Sequence, residues 1–481
     1  MESRRSIMAG STPGNLDNRD GFRSKWGFIL ACIGSAVGMA NIWRFPYMVA
    51  EFGGLTFLLP YFLFVLLIGA SGVMEEFALG RWGGAGPVGS FGKAVETRGG
   101  KRRVGEAIGI LPVVGSMGLA IGYTVVMGWI FKYTKMAITG ELFALGQDTA
   151  AIGGTFSAAA PETKTLGEGV SMMLQNGIFG IGNGFWIIVA IVVSVVIMAL
   201  GVSGGIERAC KIMIPLLFGL FLVMAVYIAT LSGAGDGYKF IFSLNPRGLL
   251  DWKVWLFAFG QAFFSLSVAG NGSVIYGSYL GKDVAIGASA RNVAVFDTLA
   301  ALVAMFVIIP AMATTGGELT TKGPGLMFVA LPSVFNGMGG IGWVVGAFFF
   351  VAVLFAGTTS IINLYETPVA FLQEKLKFNR VVSVVAIHAV GLVVALLIQP
   401  WTSQWMDVVS IYICPLGAML AGIMFFWVMK KKTAVDAVSQ GSHKPVGGWF
   451  HPIGKFIYVP LCGVALVGGA IVSVTLGMTL G

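Results

Sequence analysis

Apolar positions along this chain fall into runs of about 20 residues, the length a helix needs to cross a bilayer. The runs cover 26–49, 56–79, 104–139, 185–202, 212–231, 252–280, 293–315, 343–372, 381–400, 408–429 and 453–480, which predicts eleven membrane helices. The longest must tilt or extend beyond the lipid. The long loops are 140–184, 232–251 and 316–342. Their apolar clusters, Phe240-Ile241-Phe242 and Leu326-Met327-Phe328, predict short helices capping the outer face. Two runs are interrupted, one by Gly34-Ser35-Ala36-Val37-Gly38-Met39-Ala40-Asn41-Ile42-Trp43-Arg44-Phe45-Pro46 and one by Ser265-Leu266-Ser267-Val268-Ala269-Gly270-Asn271-Gly272-Ser273. Backbone groups freed at membrane depth are tolerated only inside protein or beside a water-filled cavity. Paired broken helices in two halves of a chain point to a secondary transporter, with substrate and ions bound at the breaks.

Composition agrees with an all-α integral membrane protein. Hydrophobic residues make up 56% and charged residues 11% of the 481 positions, and mean hydropathy is +0.84. The 70 glycines suit close helix packing. A net charge of +9 raises the question of nucleic acid, but the basic residues answer it by position. Most cluster on one predicted side, in 1–25, 81–103, around Arg208 and Lys211, in 375–380 and in 430–455. That is the positive-inside bias; it places the N-terminus in the cytoplasm and, with eleven spans, the C-terminus outside. No nucleic-acid partner is expected, and the lipid bilayer is the surrounding medium. Cys32, Cys210, Cys414 and Cys462 lie in or at the ends of apolar runs without metal-ligand spacing, and His388, His443 and His451 are scattered. The polar segment 1–25 has no cleavable apolar core.

Spans one to five (26–231) and six to ten (252–431) each begin with a broken helix, which suggests a 5+5 inverted repeat preceded by a cytoplasmic tail (1–25) and followed by an eleventh helix (453–480). There is no channel filter signature or ring of charge. The few intramembrane charges do not form an acid, base and nucleophile set, so an enzyme is not expected.

The run from Gly34 to Pro46 resembles the first helix of the neurotransmitter:sodium symporter family, whose bacterial members include leucine and hydrophobic amino-acid transporters. The end of the second helix (Glu76-Phe77-Ala78-Leu79-Gly80-Arg81), the sixth helix (Gly260-Gln261-Ala262-Phe263-Phe264-Ser265-Leu266-Ser267) and the eighth helix (Phe355-Ala356-Gly357-Thr358-Thr359-Ser360) are similar to family motifs in the same order. The resemblance implies the leucine-transporter fold and two sodium sites. Site 1 would use Ala36, Asn41, Ser265 and a residue of the seventh helix. Counting forward from Tyr279 gives Asp297, and counting back from Pro310 gives Phe296; we choose Asp297 because phenylalanine cannot ligate sodium. Site 2 would use the carbonyls of Gly34, Val37 and Ala356 with the hydroxyls of Thr359 and Ser360. Sodium, like calcium and magnesium, is a hard cation that takes oxygen ligands.

Chloride-binding relatives use a Tyr, a Gln and two hydroxyl residues. Tyr61, Gln261 and Ser265 match three of them, but Ala300 or Ala301 stands at the fourth, and Asp297 supplies its own negative charge; chloride is therefore not required. The resemblance places a substrate carboxylate on the Met39 and Ala40 N–H groups and the Tyr123 hydroxyl. Amine transporters of the family carry an aspartate where Gly38 stands, so the substrate here brings its own carboxylate. Ser35, Leu119, Phe264, Ser265, Ser267, Gly270, Ser360 and Leu364 complete the predicted pocket. Asn363 either adds polarity to it or is satisfied within the bundle. Gly270 replaces an aromatic residue of the bacterial leucine transporter and leaves room for a large side chain.

Arg44 and Asp407 look like the outer ionic gate, and Arg19 and Glu374 like the inner one, with Phe22 beside it. Gly205 and Pro215 resemble the family's Gly-X9-Pro element, either an unwinding point or a static kink. Glu76 matches a family glutamate near the sixth-helix break, whereas Glu75 is a departure with no assigned role. The expectation is a sodium-coupled symporter of a bacterial plasma membrane, monomeric or weakly dimeric, importing a neutral amino acid with a large, aromatic or branched side chain. A small amino acid or taurine-like substrate is the alternative within the family, and a substrate-gated channel or receptor the alternative outside it.

Overall fold

The computed structural model describes residues 21–163, 165–177, 182–268, 271–315 and 323–476, and among them every regular element is helical. Ser24 starts the first helix by accepting a hydrogen bond from the Gly27 N–H. This helix stops at Ala36, and its continuation, Ala40–Phe52, leaves at 57°. The second helix, Gly54–Gly83, ends on left-handed Gly84; the third, Arg102–Thr139, ends on left-handed Gly140. The fourth and fifth are Gly184–Ala199 and Val202–Ala229. The sixth is broken into Trp252–Ser265 and Gly272–Ser278, the first half capped by Asp251. Ile286–Thr314, Gly340–Lys375 and Arg380–Ile398 follow as the seventh to ninth helices.

Among the described residues, seven helices are long and apolar enough to cross a membrane, and the bent first pair makes an eighth. The other predicted spans are met differently. The fourth helix has only 16 residues, the sixth is interrupted, and the ninth runs into 402–428 as one stretch, Arg380–Val428. The last helix is Val459–Leu476. Short helices in the predicted long loops, Thr149–Ala159, Ala234–Ile241 and Leu326–Asn336, match expectation. Large apolar side chains cover the outside: Ile212, Leu216, Leu222 and Val226 of the fifth helix, and Val390 and Val393 of the ninth, are exposed as a lipid-facing surface would be.

The third helix packs along the eighth, and both contact the fourth and ninth. Polar bonds stitch this frame. Thr124 and Tyr365 hydroxyls lie 2.9 Å apart, and the Tyr365 ring lies 4.1 Å from the His388 ring. His388 Nδ1 sits 2.8 Å from the Val384 carbonyl and must donate to it, so in the neutral ring Nε2 accepts from the Ser194 hydroxyl at 2.8 Å. Gly391 leaves room for the Tyr365 hydroxyl. The first broken helix lies against this frame and against the fifth and seventh helices, and the broken sixth lies against the second helix and the eighth.

Candidate functional site: the two helix breaks

At the first break Val37 is extended (φ −72°, ψ 94°) and Gly38 lies between the two helix segments. Met39 and Ala40 stand at the N-terminus of the second half. At the second break Ser267 (φ 56°) and Asn271 (φ 50°) adopt the left-handed conformation that non-glycine residues seldom take. Such strain persists only where surrounding contacts hold it. One such contact joins the breaks: the Ser267 hydroxyl donates to the Ser35 carbonyl at 2.7 Å. Another is Gln261 Nε2, which donates to the Ala40 carbonyl at 3.2 Å.

One cavity opens between the breaks. Ser35, Ala36, Ala40, Leu119, Tyr123, Phe264, Ser267, Ser360 and Leu364 line it, together with Gly38, Gly272 and Asn363. Met39 is fully buried behind the lining, and Ser265 lies deeper. Gly270 lies outside the described residues, so the position on which the size argument rests is not placed. Gly38 and Gly272 share one reason to be glycine. A Cβ at Gly38 would lie 2.8 Å from Ser360 Oγ, and one at Gly272 2.6 Å from Asn363 Nδ2. The eighth helix thus presses Ser360 and Asn363 against the bare backbone of both breaks. Neither Ser360 Oγ nor Asn363 Oδ1 has a protein partner.

Behind Ala36, three residues meet. Asn41 Nδ2 donates to Asp297 Oδ1 at 2.7 Å and to the Asp297 carbonyl at 3.3 Å, and the Ser265 hydroxyl donates to Asp297 Oδ2 at 2.7 Å. Asp297 is fully buried. Phe296, the competing register, packs instead against Phe218 at 6.4 Å between ring centroids. Tyr61 Oη and Gln261 Oε1 are buried without partners. On the other side of the first helix, a Cβ at Gly34 would lie 2.9 Å from Thr359 Cβ and 3.2 Å from Cys210 Sγ, so Gly34, the eighth helix and the fifth helix converge. Thr359 Oγ1 donates to the Phe355 and Ala356 carbonyls, both at 3.0 Å. This back-bonding to its own helix still leaves the hydroxyl lone pairs free to accept a cation.

The expected gates differ in their closure. Arg44 is buried, with Nε and Nη2 unpartnered, and its guanidinium carbon lies 5.6 Å from the Phe264 ring centre. It makes no ion pair with Asp407 in this structure. The basic face is packed: Glu374 Oε1 accepts from the Gly86 N–H at 2.8 Å, and Phe22 packs edge-on to Phe28, Tyr276 and Tyr279. Arg19 lies outside the described residues. Gly205 sits in a wide turn, Val202–Ile206, and the helix from Glu207 continues through Pro215.

Sequence reasoning missed two features. Gly272 was an inconspicuous member of a glycine-rich run. Glu207 was invisible as an anchor. It accepts from the Arg23 N–H at 2.7 Å, the Ser24 hydroxyl at 3.0 Å and Lys211 Nζ at 2.5 Å, and so ties the start of the first helix to the fifth. An acid two residues after Gly205, just before an apolar run, was the available signal.

The same architecture is found elsewhere. The solved structure of MhsT in complex with L-phenylalanine superposes with a TM-score of 0.75 at 29% identity, covering 93% of this chain and all of that one. An uncharacterised sodium-dependent transporter of Bacillus subtilis is 31% identical over 457 residues, 91% of this chain and 94% of the relative. A second, from Methanocaldococcus jannaschii, is 28% identical over 447 residues, 90% of this chain and 86% of the relative. The sodium-dependent nutrient amino acid transporter 1 of Drosophila yakuba is 25% identical over 80% of this chain and 67% of its own length. The family model described as the sodium:neurotransmitter symporter family matches residues 19–476. A match of that extent, on a leucine-transporter fold with two broken helices facing one cavity, means that the chain belongs to the sodium:neurotransmitter symporter family, whose members are sodium-coupled transporters and not enzymes.

Proposed function

We propose that this transporter imports a neutral amino acid with two sodium ions, without chloride, across a bacterial plasma membrane. The observation that carries the reading is the cavity at the first break, where Gly38 is pressed by Ser360 and no side-chain carboxylate faces the lining. A substrate there supplies its own carboxylate. Met39 and Ala40 N–H groups, at the positive end of a half-helix, and the Tyr123 hydroxyl receive it. The first sodium binds Ala36, Asn41, Ser265 and Asp297. The second binds the carbonyls of Gly34, Val37 and Ala356 and the hydroxyls of Thr359 and Ser360. Asp297 supplies the fixed negative charge for which relatives use chloride.

The side chain is large and neutral, aromatic or branched. Leu119, Phe264 and Leu364 give the lining its apolar walls, and no acid or base stands in it to pair a charged side chain. The neighbouring MhsT structure, which holds L-phenylalanine, supports the same class.

Access alternates. With the N-terminus in the cytoplasm, the Phe22 cluster and the Arg19–Glu374 pair close the inner side, while Arg44 and Asp407 close the outer side when they meet above Phe264. Each of repeats 26–231 and 252–431 supplies one broken helix to the bundle that rocks against the frame of the third, fourth, eighth and ninth helices. Each charge carried through 100 mV contributes about 2.3 kcal/mol, so two ions give steep accumulation. The test is uptake of labelled L-phenylalanine into proteoliposomes under a sodium gradient, with the other amino acids as competitors. Uptake that persists in potassium or choline overturns the coupling. Glycine, alanine or taurine outcompeting every large neutral amino acid overturns the substrate class alone.

A further inference from the structure

Glu75 and Glu76 are both fully buried at the start of Met74–Gly83, directly after the wide turn Gly69–Val73 of the second helix. Glu76 Oε1 accepts from Asn271 Nδ2 at 3.2 Å, whereas Glu76 Oε2 and both oxygens of Glu75 have no partner. Opposite them lies a second wide turn, Gly454–Tyr458, which packs against the first. It delivers Tyr458, whose hydroxyl is also buried and unpartnered. A Cβ at Gly72, one turn before Glu75, would lie 2.7 Å from that hydroxyl, so Gly72 is glycine to admit it.

Among the described residues no cation pairs with the two acids. The second wide turn and the last helix contribute Tyr458, Cys462 and Lys455, whose Nζ lies 4.5 Å from the Trp427 ring centre, and the acids' own helix carries Arg81. Arg81 and the ionisable groups on the other packed elements are committed elsewhere. Asp297 is bound by Asn41 and Ser265. Lys93 Nζ donates to the Trp82 carbonyl at 2.5 Å. Arg81 donates to the carbonyls of Gly281, Val284, Ala437 and Gln440. Lys431, Asp436, Glu96 and Arg291 are exposed. A carboxylate buried at membrane depth without donor or cation is too costly to remain charged, and two adjacent ones more so.

We propose that Glu75 and Glu76 form a proton site that is loaded in this conformation and empties as the sixth-helix break rearranges. Asn271 is the lever. It holds Glu76 with its side chain and, through its left-handed backbone, sets the neighbouring Gly272 against Asn363 in the cavity lining. Donors gained by the acid pair favour the charged form, and donors lost favour the neutral one. Movement of the break therefore changes proton affinity. By reciprocity, proton binding biases the break. On unloading, a carboxyl O–H bond breaks, the proton passes to water and the pair keeps one more negative charge. This site is separate from the sodium positions and stands whether or not the amino-acid reading does.

Infrared difference spectroscopy on the full-length protein tests it. Wild type should show a protonated-carboxyl C=O band at neutral pH that shifts in D₂O, is lost in Glu75→Gln and is retained in Asp297→Asn. Exchange of potassium for sodium should change its amplitude, and a pH-indicating dye in weak buffer should record the matching proton release. Glu75→Gln should lose that release while keeping its sodium-dependent thermal shift. Tyr458→Phe, which removes only the hydroxyl facing the pair, should move the band. A wild type without the band, a band or proton release unchanged in Glu75→Gln, or a band indifferent to Tyr458→Phe overturns the assignment.

Discussion

Gly27 and Glu207 share one space: a Cβ at Gly27 would overlap the Glu207 carboxylate, which holds the Arg23 N–H and the Ser24 hydroxyl at the start of the first helix. Glu207 follows the wide turn that contains Gly205, so unwinding of the fifth helix and release of the first are mechanically linked. Hydrogen bonds to a charged group are worth about 1.5–3 kcal/mol, enough to shift a conformational ratio roughly tenfold or more. Gly27→Ala and Glu207→Ala should both free the first helix. Cys32 and Cys210, buried in the first and fifth helices, report it: labelling by a permeant thiol reagent should rise about tenfold on that scale. Unchanged labelling in both variants would show that the anchor does not restrain the helix.

Asp297 receives two donors at 2.7 Å and, among the described residues, no cationic side chain. Asp297→Asn should weaken sodium binding by about tenfold or more, because a charge-assisted ligand becomes neutral. Wild-type uptake should be unchanged when gluconate replaces chloride. Sodium titration of uptake in both media checks the two statements separately, and loss of wild-type uptake in gluconate contradicts the second.

Thr359 bonds back to its own helix, so its hydroxyl has a structural role available without sodium. The isosteric Thr359→Val separates the roles. Removal of one such back-bond costs about 1 kcal/mol of stability, whereas loss of a sodium ligand should abolish uptake in a protein that remains folded. Thr359→Val combined with Ser360→Ala should show no sodium-dependent thermal shift. Uptake that survives in the double variant would move the second ion elsewhere.

Gly272 admits Asn363 to the cavity wall. Gly272→Ala should push Asn363 inward and favour smaller substrates, and Asn363→Ala on that background should return the room. About one methylene's worth of space corresponds to 1–3 kcal/mol, so the preference should move by roughly 10- to 200-fold. Competition by the amino-acid set against a labelled substrate gives the ranking in each variant. An identical ranking in Gly272→Ala and wild type would place the side-chain pocket away from Asn363.

Periodicity and motif order exposed the two breaks, the apolar spans and most of the cavity lining, because these are properties of local composition. The register counted from Tyr279 puts a carboxylate, Asp297, beside Asn41 and Ser265, whereas Phe296 packs against Phe218. Partner choice was less legible. Nothing local to Thr359 says that its hydroxyl folds back, and nothing local to Arg44 says that it lies over Phe264 and not on Asp407. Glu207 reaches back 184 residues to Arg23, a separation over which a one-dimensional pattern carries no signal.

The Thr124–Tyr365–His388–Ser194 stitching has a bearing on how motion in this molecule can be observed. Tyr365 lies about one and a half turns beyond Ser360 on the same helix, so the wall that faces the cavity is bolted to the third, fourth and ninth helices. Pairs of spin labels placed between the eighth and ninth helices should report one narrow distance in every ionic condition. A label on the eighth helix is then a surveyor's datum. Paired with a second label on Ala40–Phe52 or Gly272–Ser278, it should convert each step of the cycle into a distance change that belongs to the broken helix alone.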